Sequence, residues 1–231
     1  MGDLGDRMKG YEAVAAQQLM TRCPVIVRVD GRAFHTLTRG MERPFDGRFA
    51  GAMEFAAICV AGEMQGFKVG YVQSDEASFL LTDYATLETG SWFGYDHSKV
   101  VSLAASAMTA YFATCQGLPA PAMFDARAFN VPFDDVANYF LWRAKDWERN
   151  SLQMFCQSIF SHKQLHGKKR ADMHEMLHTA GRNWATEVPE RFRNGVFLEK
   201  LNGGLRSRSD VQPHFADVDT VVGPSIAPTS D

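Results

Sequence analysis

Asp30 closes the apolar run Val25-Ile26-Val27-Arg28-Val29, and Asp75 closes the run Val69-Gly70-Tyr71-Val72-Gln73-Ser74. Each run reads as a buried strand, so each carboxylate stands where a rigid sheet hands a side chain to solvent or ligand. Two carboxylates converging there repel one another unless a cation lies between them. That is the donor arrangement of a two-metal phosphoryl-transfer site. In the first motif, Asp30-Gly31-Arg32-Ala33-Phe34-His35, the glycine lets main chain approach a phosphate closely, with Arg32 and His35 as nearby donors. The second motif continues as Ser74-Asp75-Glu76-Ala77-Ser78-Phe79. The plain alternative for either aspartate is a strand-end turn acid, since Asp favours turns.

The surrounding periodicity predicts the elements that would carry these acids. Residues 5–20 read as an amphipathic helix, with Met8, Tyr11, Ala15 and Leu19 at helical spacing. A strand over 25–30 is followed by a loop holding Arg43-Pro44-Phe45-Asp46. A helix then runs over 47–65, with Phe49, Met53, Ala56, Ala57, Val60 and Met64 on one stripe and Gly66 at its end. Strands over 69–74 and 77–83 are joined tightly through Asp75-Glu76. A helix over 97–115 and an extended segment over 123–131 complete the order strand, helix, strand, strand, helix, strand. This is the ferredoxin-like split β-α-β order, an α+β fold on an antiparallel sheet. In it the first strand and the central hairpin lie side by side, with Asp30 and Asp75 on one sheet edge.

After Pro132 the chain predicts a long helix over 133–160, a shorter one over 171–180 capped by Gly181, and a strand-like segment at 195–198. From about residue 203 the Gly, Ser, Asp and Pro content predicts a loose tail. The expected division is a catalytic core over 1–131, a packed helical extension over 132–202 and a flexible tail over 203–231.

With 231 residues, 45% hydrophobic and 22% charged, the chain can bury one large core and is expected to be globular and soluble. It has no apolar run of bilayer length, and Asp3 and Asp6 precede any apolar stretch, so a cytoplasmic protein with no membrane partner is expected. Cys23, Cys59, Cys115 and Cys156 are scattered without a C-x-x-C pair and read as reduced thiols. A net charge of -3 speaks weakly against a general nucleic-acid binder. Between His162 and Arg208, however, Lys and Arg outnumber Asp and Glu, which fits either a phosphate-contacting surface or a solvated helical face.

At these residues the chain resembles the tRNA(His) guanylyltransferase family and its broader set of template-dependent 3′-to-5′ RNA polymerases. The resemblance is an ordered series across residues 5–200. It takes in the two acidic motifs, Arg43-Pro44-Phe45-Asp46, Lys99-Val100-Val101-Ser102 and Phe124-Asp125-Ala126-Arg127. Tyr139-Phe140-Leu141-Trp142-Arg143 with Asp146 and Asn150 follows, and Gly181-Arg182-Asn183-Trp184 ends the series. It implies a polymerase-palm domain with a C-terminal helical extension. By similarity, Asp30, the Gly31 carbonyl and Asp75 would hold two magnesium ions, with Glu76 supporting the acidic cluster. The segment Gly31, Arg32, Ala33, Phe34 and His35, together with Ser74, would line the nucleoside triphosphate. Arg43, Lys99, Asp146 and Asn150 fall at positions that handle triphosphate or activation. The implied substrates are GTP, ATP and the 5′ end of tRNA, and the implied assembly is a homo-oligomer, dimer or tetramer.

Two departures bear on specificity. The segment Phe93-Gly94-Tyr95-Asp96-His97-Ser98-Lys99 lacks the arginine pair that many members place before the lysine. Where eukaryotic members carry His-Ile-Asn, this chain has Glu148-Arg149-Asn150, which shifts the expectation toward templated 5′-end repair of tRNA.

Other readings compete. His174-Glu175-Met176-Leu177-His178 has the short zinc-hydrolase pattern, two imidazoles one helical turn apart with a glutamate base, against a surface helix with incidental histidines. His162 and His166 read as solvated helix residues. Phe140, Trp142, Trp147, Phe155 and Phe160 read as core or subunit interface, although an aromatic near Arg143 and Arg149 could stack on a base. A non-catalytic RNA-binding palm is the remaining class. Clustered acids facing a polyanion without metals argue against it.

Overall fold

The computed structural model describes residues 3–115, 117–118, 121–201 and 204–209. Helix α1 (Leu4–Ala13) precedes strand β1 (Val25–Gly31), the one-turn α2 (Phe34–Leu37) and α3 (Gly47–Glu63). The hairpin of β2 (Phe67–Gln73) and β3 (Glu76–Leu81) leads to α4 (His97–Ala113) and β4 (Phe124–Asn130). A long α5 (Val136–Gln157) follows, then α6 (His162–Leu165), α7 (Arg170–Thr179), α8 (Trp184–Glu187) and α9 (Glu190–Asn194). The hairpin of β5 (Val196–Leu201) and β6 (Gly204–Arg208) ends the described chain.

The strands form one sheet in the order β4-β1-β3-β2-β5-β6, with antiparallel pairing throughout. Its first four strands have the ferredoxin-like order. Alternation along β1 sends Val25, Val27 and Val29 to one face and Ile26, Arg28 and Asp30 to the other. The first face is covered by α3 and α4, whose Ala56, Val60, Ala104, Met108 and Phe112 are buried in one cluster with Val27 and Phe79. The second face takes α5, where Val136, Tyr139 and Phe140 pack on Ile26, Leu80, Val69 and Tyr71. A third cluster fixes the far half of α5 to α7 and α8 through Leu152, Phe155, Leu177 and Trp184. Phe140 is fully buried, and cutting it to Ala would cost about 3–5 kcal/mol. Among the described residues, no helix is long and apolar enough to cross a membrane.

The helix ends follow local chemistry. Asp46 caps α3, accepting from the N–H groups of Arg48 and Phe49. Asp96 caps α4 by accepting from the N–H of Lys99 at 3.0 Å.

Three expectations need correction. The N-terminal helix stops at Ala13 and buries none of its residues. Leu19 lies instead in an extended segment, where its N–H donates to the Tyr95 carbonyl and Gln18 bridges Asp96. Main-chain pairing to the loop before α4 outcompetes helix continuation, because α1 gains no burial to favour it. The long helix at 133–160 is a short 3-10 turn followed by α5, which ends at Gln157. The third correction concerns the expected tail: residues 204–208 form β6, paired with β5, and Ser207 hydrogen-bonds to Glu54 of α3. Alternation of exposed and half-buried residues in Gly204–Arg208 is the strand signal that a composition count overlooks. The rest of the expected tail, 210–231, lies outside the described residues.

Candidate active site

The hairpin between β2 and β3 is as tight as a hairpin can be: Gln73 pairs with Glu76, leaving Ser74 and Asp75 as a two-residue turn. Ser74 takes φ 46°, in the left-handed region that such turns demand. In the antiparallel register Asp30 lies opposite Glu76 on β3 and opposite Asp125 on β4. The Gly31 N–H then donates to the Asp75 carbonyl at 2.9 Å. The two acidic motifs therefore meet at one sheet edge, stitched main chain to main chain.

Asp75 is half-buried, and burial is the main cause pushing its carboxyl above the ordinary carboxylate range. The charges of Asp30 and Glu76 push the same way, against its own N–H and the Ser74 hydroxyl. Acids held this way favour a cation between them.

Glu76 has a different environment. It is buried, and Arg143 of α5 grips it from Nε to Oε1 and from Nη2 to Oε2, both at 2.7 Å. Gln73 adds a donor at 3.2 Å, and Arg28 approaches to 4.0 Å. Arg143 also reaches Asp146 at 3.3 Å, and Asp146 pairs in turn with Arg149. Glu76 thus anchors α5 to the sheet beside Asp30, with both of its oxygens engaged.

Three concavities open around this edge, and Ser74 lines all three. One of about 320 Å³ is bounded by Asp30, Asp75, Glu76, Arg143 and Asn150. A second of about 310 Å³ is bounded by Asp75 and the turn Gly31, Ala33, Phe34 and His35. The third, about 140 Å³ and more apolar, lies between Arg43, Pro44, Phe45, Met53, Val72 and Trp147.

The chain belongs to the tRNA(His) guanylyltransferase family, whose sequence model matches residues 5–132. Among curated relatives, the tRNA(His) guanylyltransferase of Schizosaccharomyces pombe is 29% identical over 81% of this chain and 77% of its own length. An uncharacterised Acanthamoeba polyphaga mimivirus protein, R259, is 26% identical over 85% of this chain and 77% of its own. A probable mouse tRNA(His) guanylyltransferase is 28% identical, and the match spans 65% of its length. A solved bacterial tRNA(His) guanylyltransferase-like protein in complex with ATP superposes with a TM-score of 0.88 at 39% identity, covering 93% of this chain and 95% of that one. A bacterial guanylyltransferase-like protein in complex with GTP gives 0.78 at 33% identity with the same coverage. By membership in this family the chain is a nucleotidyltransferase.

The residues the family resemblance singles out do not all gather at the edge. Asp30, Gly31, Ala33, His35, Ser74, Asp75, Glu76 and Asn150 line its concavities, and Arg43 lines the apolar one. Phe34 also bounds the second concavity, with its ring buried against Phe49, Phe112 and Phe124. A Cβ on Gly31 would come within 2.4 Å of that ring, so the glycine is required by packing. Arg32 is exposed beside the edge, its N–H held by the Met123 carbonyl. Asp146 lines none of the concavities and accepts from Arg143 at 3.3 Å.

Lys99 stands apart. It lies in the first turn of α4, whose start is tied to Gln17 and Leu19 by main-chain bonds. That puts it at the sheet edge where β1 begins. Thr109, ten residues on, accepts from the Phe124 N–H at the acidic edge, so Lys99 is about 15 Å back along the helix.

Sequence reasoning singled out Asn150 but assigned no site role to Arg143, Trp147, Met154 and Gln157, which turn the same face of α5 toward the acids. Their spacing of three and four residues around Asn150 was the available signal. The zinc pattern gains no support: Glu175 and His178 are exposed, and His174 packs edge-on to Trp184 at 6.2 Å. Among the described residues, no group of three or more His, Cys, Asp or Glu could hold a metal. Over the basic segment, Arg170, Arg182, Arg191 and Arg193 pair with Glu148, Glu187, Glu54 and Glu190, so much of its charge is spent on internal ion pairs.

Proposed function

We propose that the chain adds nucleotides, GTP favoured, to the 5′ end of tRNA in the 3′-to-5′ direction, at a two-magnesium site built on Asp30 and Asp75. The observation that carries this reading is the convergence of those two acids through the Gly31–Asp75 main-chain bond, in the wall of one concavity that both line and beside a second that Asp75 lines. The donor set fits magnesium. Two carboxylates and a carbonyl leave coordination positions for water and substrate phosphates, and a cation offsets the desolvation of Asp75 and its repulsion by Asp30. Asp30, Asp75 and the Gly31 carbonyl would hold the ions. When bound, they would lower the pKa of an attacking hydroxyl and offset charge on departing pyrophosphate.

The chain's own residues do the rest by positioning. Ser74 and the turn Gly31–His35 would cradle the triphosphate, with Arg32, His35 and Arg43 supplying donors. Asn150 would present its amide from α5, whose placement depends on the Glu76–Arg143 pair. The bond formed joins the 3′-oxygen of the incoming nucleotide to the α-phosphorus of an RNA 5′-triphosphate. The bond broken releases pyrophosphate. The RNA would arrive triphosphorylated or be activated with ATP, and the solved relatives in complex with ATP and GTP support both nucleotides as substrates.

Lys99 would serve a triphosphate only from a second copy of the chain, which favours a dimer or tetramer as the working form. Glu148 is engaged by Arg170 where eukaryotic members carry histidine, which favours templated repair over addition restricted to tRNA(His). Action on tRNA in the cytoplasm accords with this reading.

Incubating wild-type protein with magnesium, labelled GTP and two RNAs tests it. The expected result is addition opposite the template on a tRNA lacking its first nucleotide. Addition of G to tRNA(His) alone would replace repair by maturation, and extension of neither RNA would overturn the proposal.

A further inference from the structure

Along α5 the residues Tyr139, Phe140, Arg143 and Trp147 point into the protein, whereas Trp142 is 53% exposed. The other tryptophans, Trp92, Trp147 and Trp184, are buried. An indole left in water forfeits stabilisation that burial would give it, yet this one is not loose. The Arg143 guanidinium lies over its ring at 4.5 Å, and the Tyr139 ring meets it edge-on at 5.9 Å. Arg143 is itself fixed by the buried Glu76, the register partner of Asp30. The indole is therefore rigid and tied to the acidic edge through two side chains.

Its location is informative. Tyr139 also packs on Phe129 of β4, so Trp142 flanks the β4 side of α5. The register places Arg127 of β4 opposite Arg28 and Asp125 opposite Asp30, and Arg127 and Asp125 are exposed. The three concavities share Ser74 of the β2–β3 turn, two of them reaching Gln73 of β2 and the third the Gly31–His35 turn, and Trp142 lines none of them. Asp30 thus separates two unlike surfaces: concavities sized for a nucleotide, and an open strip with a fixed indole and the exposed Arg127.

We infer that Trp142 is a stacking platform for a base at the 5′ end of the RNA, so that RNA and incoming nucleotide reach Asp30 from opposite sides. This rests on the function proposed above and adds to it a binding residue and a direction of approach. Arginine beside an exposed, immobilised aromatic is the combination that holds a single-stranded base and its phosphate. The strip's exposed cation, Arg127, favours a polyanion over an apolar protein partner.

Trp142 is the one exposed tryptophan, so its fluorescence reports directly. Titrating a tRNA transcript lacking its first nucleotide into wild-type protein without magnesium should quench the acrylamide-accessible emission. Trp142→Phe should bind that RNA with affinity within a few-fold of wild type but lose the signal. Trp142→Ala should raise the KM for RNA about tenfold and leave the KM for GTP within twofold. Unchanged acrylamide quenching at saturating RNA, or an unchanged KM for RNA in Trp142→Ala, would overturn the platform while templated addition stands. RNA that binds and quenches but is never extended would support the platform and overturn the proposed reaction. Absence of any binding would overturn both.

Discussion

The main-chain N–H of Gly31 donates to the Asp75 carbonyl oxygen at 2.9 Å, joining the end of β1 to the turn between β2 and β3. Gly31 is confined as well as bonded, because a Cβ there would press on the buried Phe34 ring. Gly31→Ala should lower stability by about 1–3 kcal/mol through that overpacking. It should also displace the turn that carries Asp75, so nucleotide addition should fall further than the folded fraction does. Denaturant unfolding and activity measured on the same preparation check this, and an activity loss matching the folded fraction would refute it.

The Glu76–Arg143 pair is buried on both sides, so removing one partner strands a charge. Arg143→Ala should cost about 3–5 kcal/mol in urea unfolding. Replacing Glu76 and Arg143 together by Leu should restore much of that stability without restoring activity, since α5 would then lack its fixed register over Asp30. Equal stability of the single and double variants would contradict the pairing.

Asp46 supplies the pH test. Its carboxylate accepts from the Arg48 guanidinium and the N–H groups of Glu42, Arg48 and Phe49, which hold its pKa far below the ordinary carboxylate value. A depressed folded pKa gives stability that is fully present above about pH 4, the unfolded value, and is lost as pH falls through the folded one. Asp46→Asn keeps a capping oxygen and should flatten that acid limb. Asp46→Ala should cost about 1 kcal/mol at neutral pH by losing the cap. Thermal melts between pH 2 and 7 distinguish the two.

Lys99 gives a test of assembly. Lys99→Ala and Asp75→Ala should each be nearly inactive alone. Co-refolded, they should recover roughly a quarter of wild-type activity, because half the dimers are mixed and each carries one intact site. No recovery would mean that Lys99 does not act across subunits.

The sequence makes the site legible wherever chemistry is local. The acids at the ends of β1 and β2, and the strand order that joins them, follow from alternation and turn residues alone. It is silent where placement depends on the whole fold. Lys99 belongs to a family motif, but α4 runs back along the sheet and carries it to the other edge. Leu19 fits a helical stripe, yet main-chain pairing with the loop at Tyr95 captures it. Glu76 reads as one more acid of a cluster until Arg143, 67 residues on, takes both its oxygens. Trp142 is indistinguishable in composition from the buried aromatics of α5, and only its helical phase sends it outward.

The most direct measurement is magnesium-dependent incorporation of labelled GTP at the 5′ end of a tRNA lacking its first nucleotide, by wild type and by Asp75→Ala. The two-acid site predicts templated addition by wild type, none above background by Asp75→Ala, and RNA binding retained by both. Equal incorporation by the two proteins would contradict it.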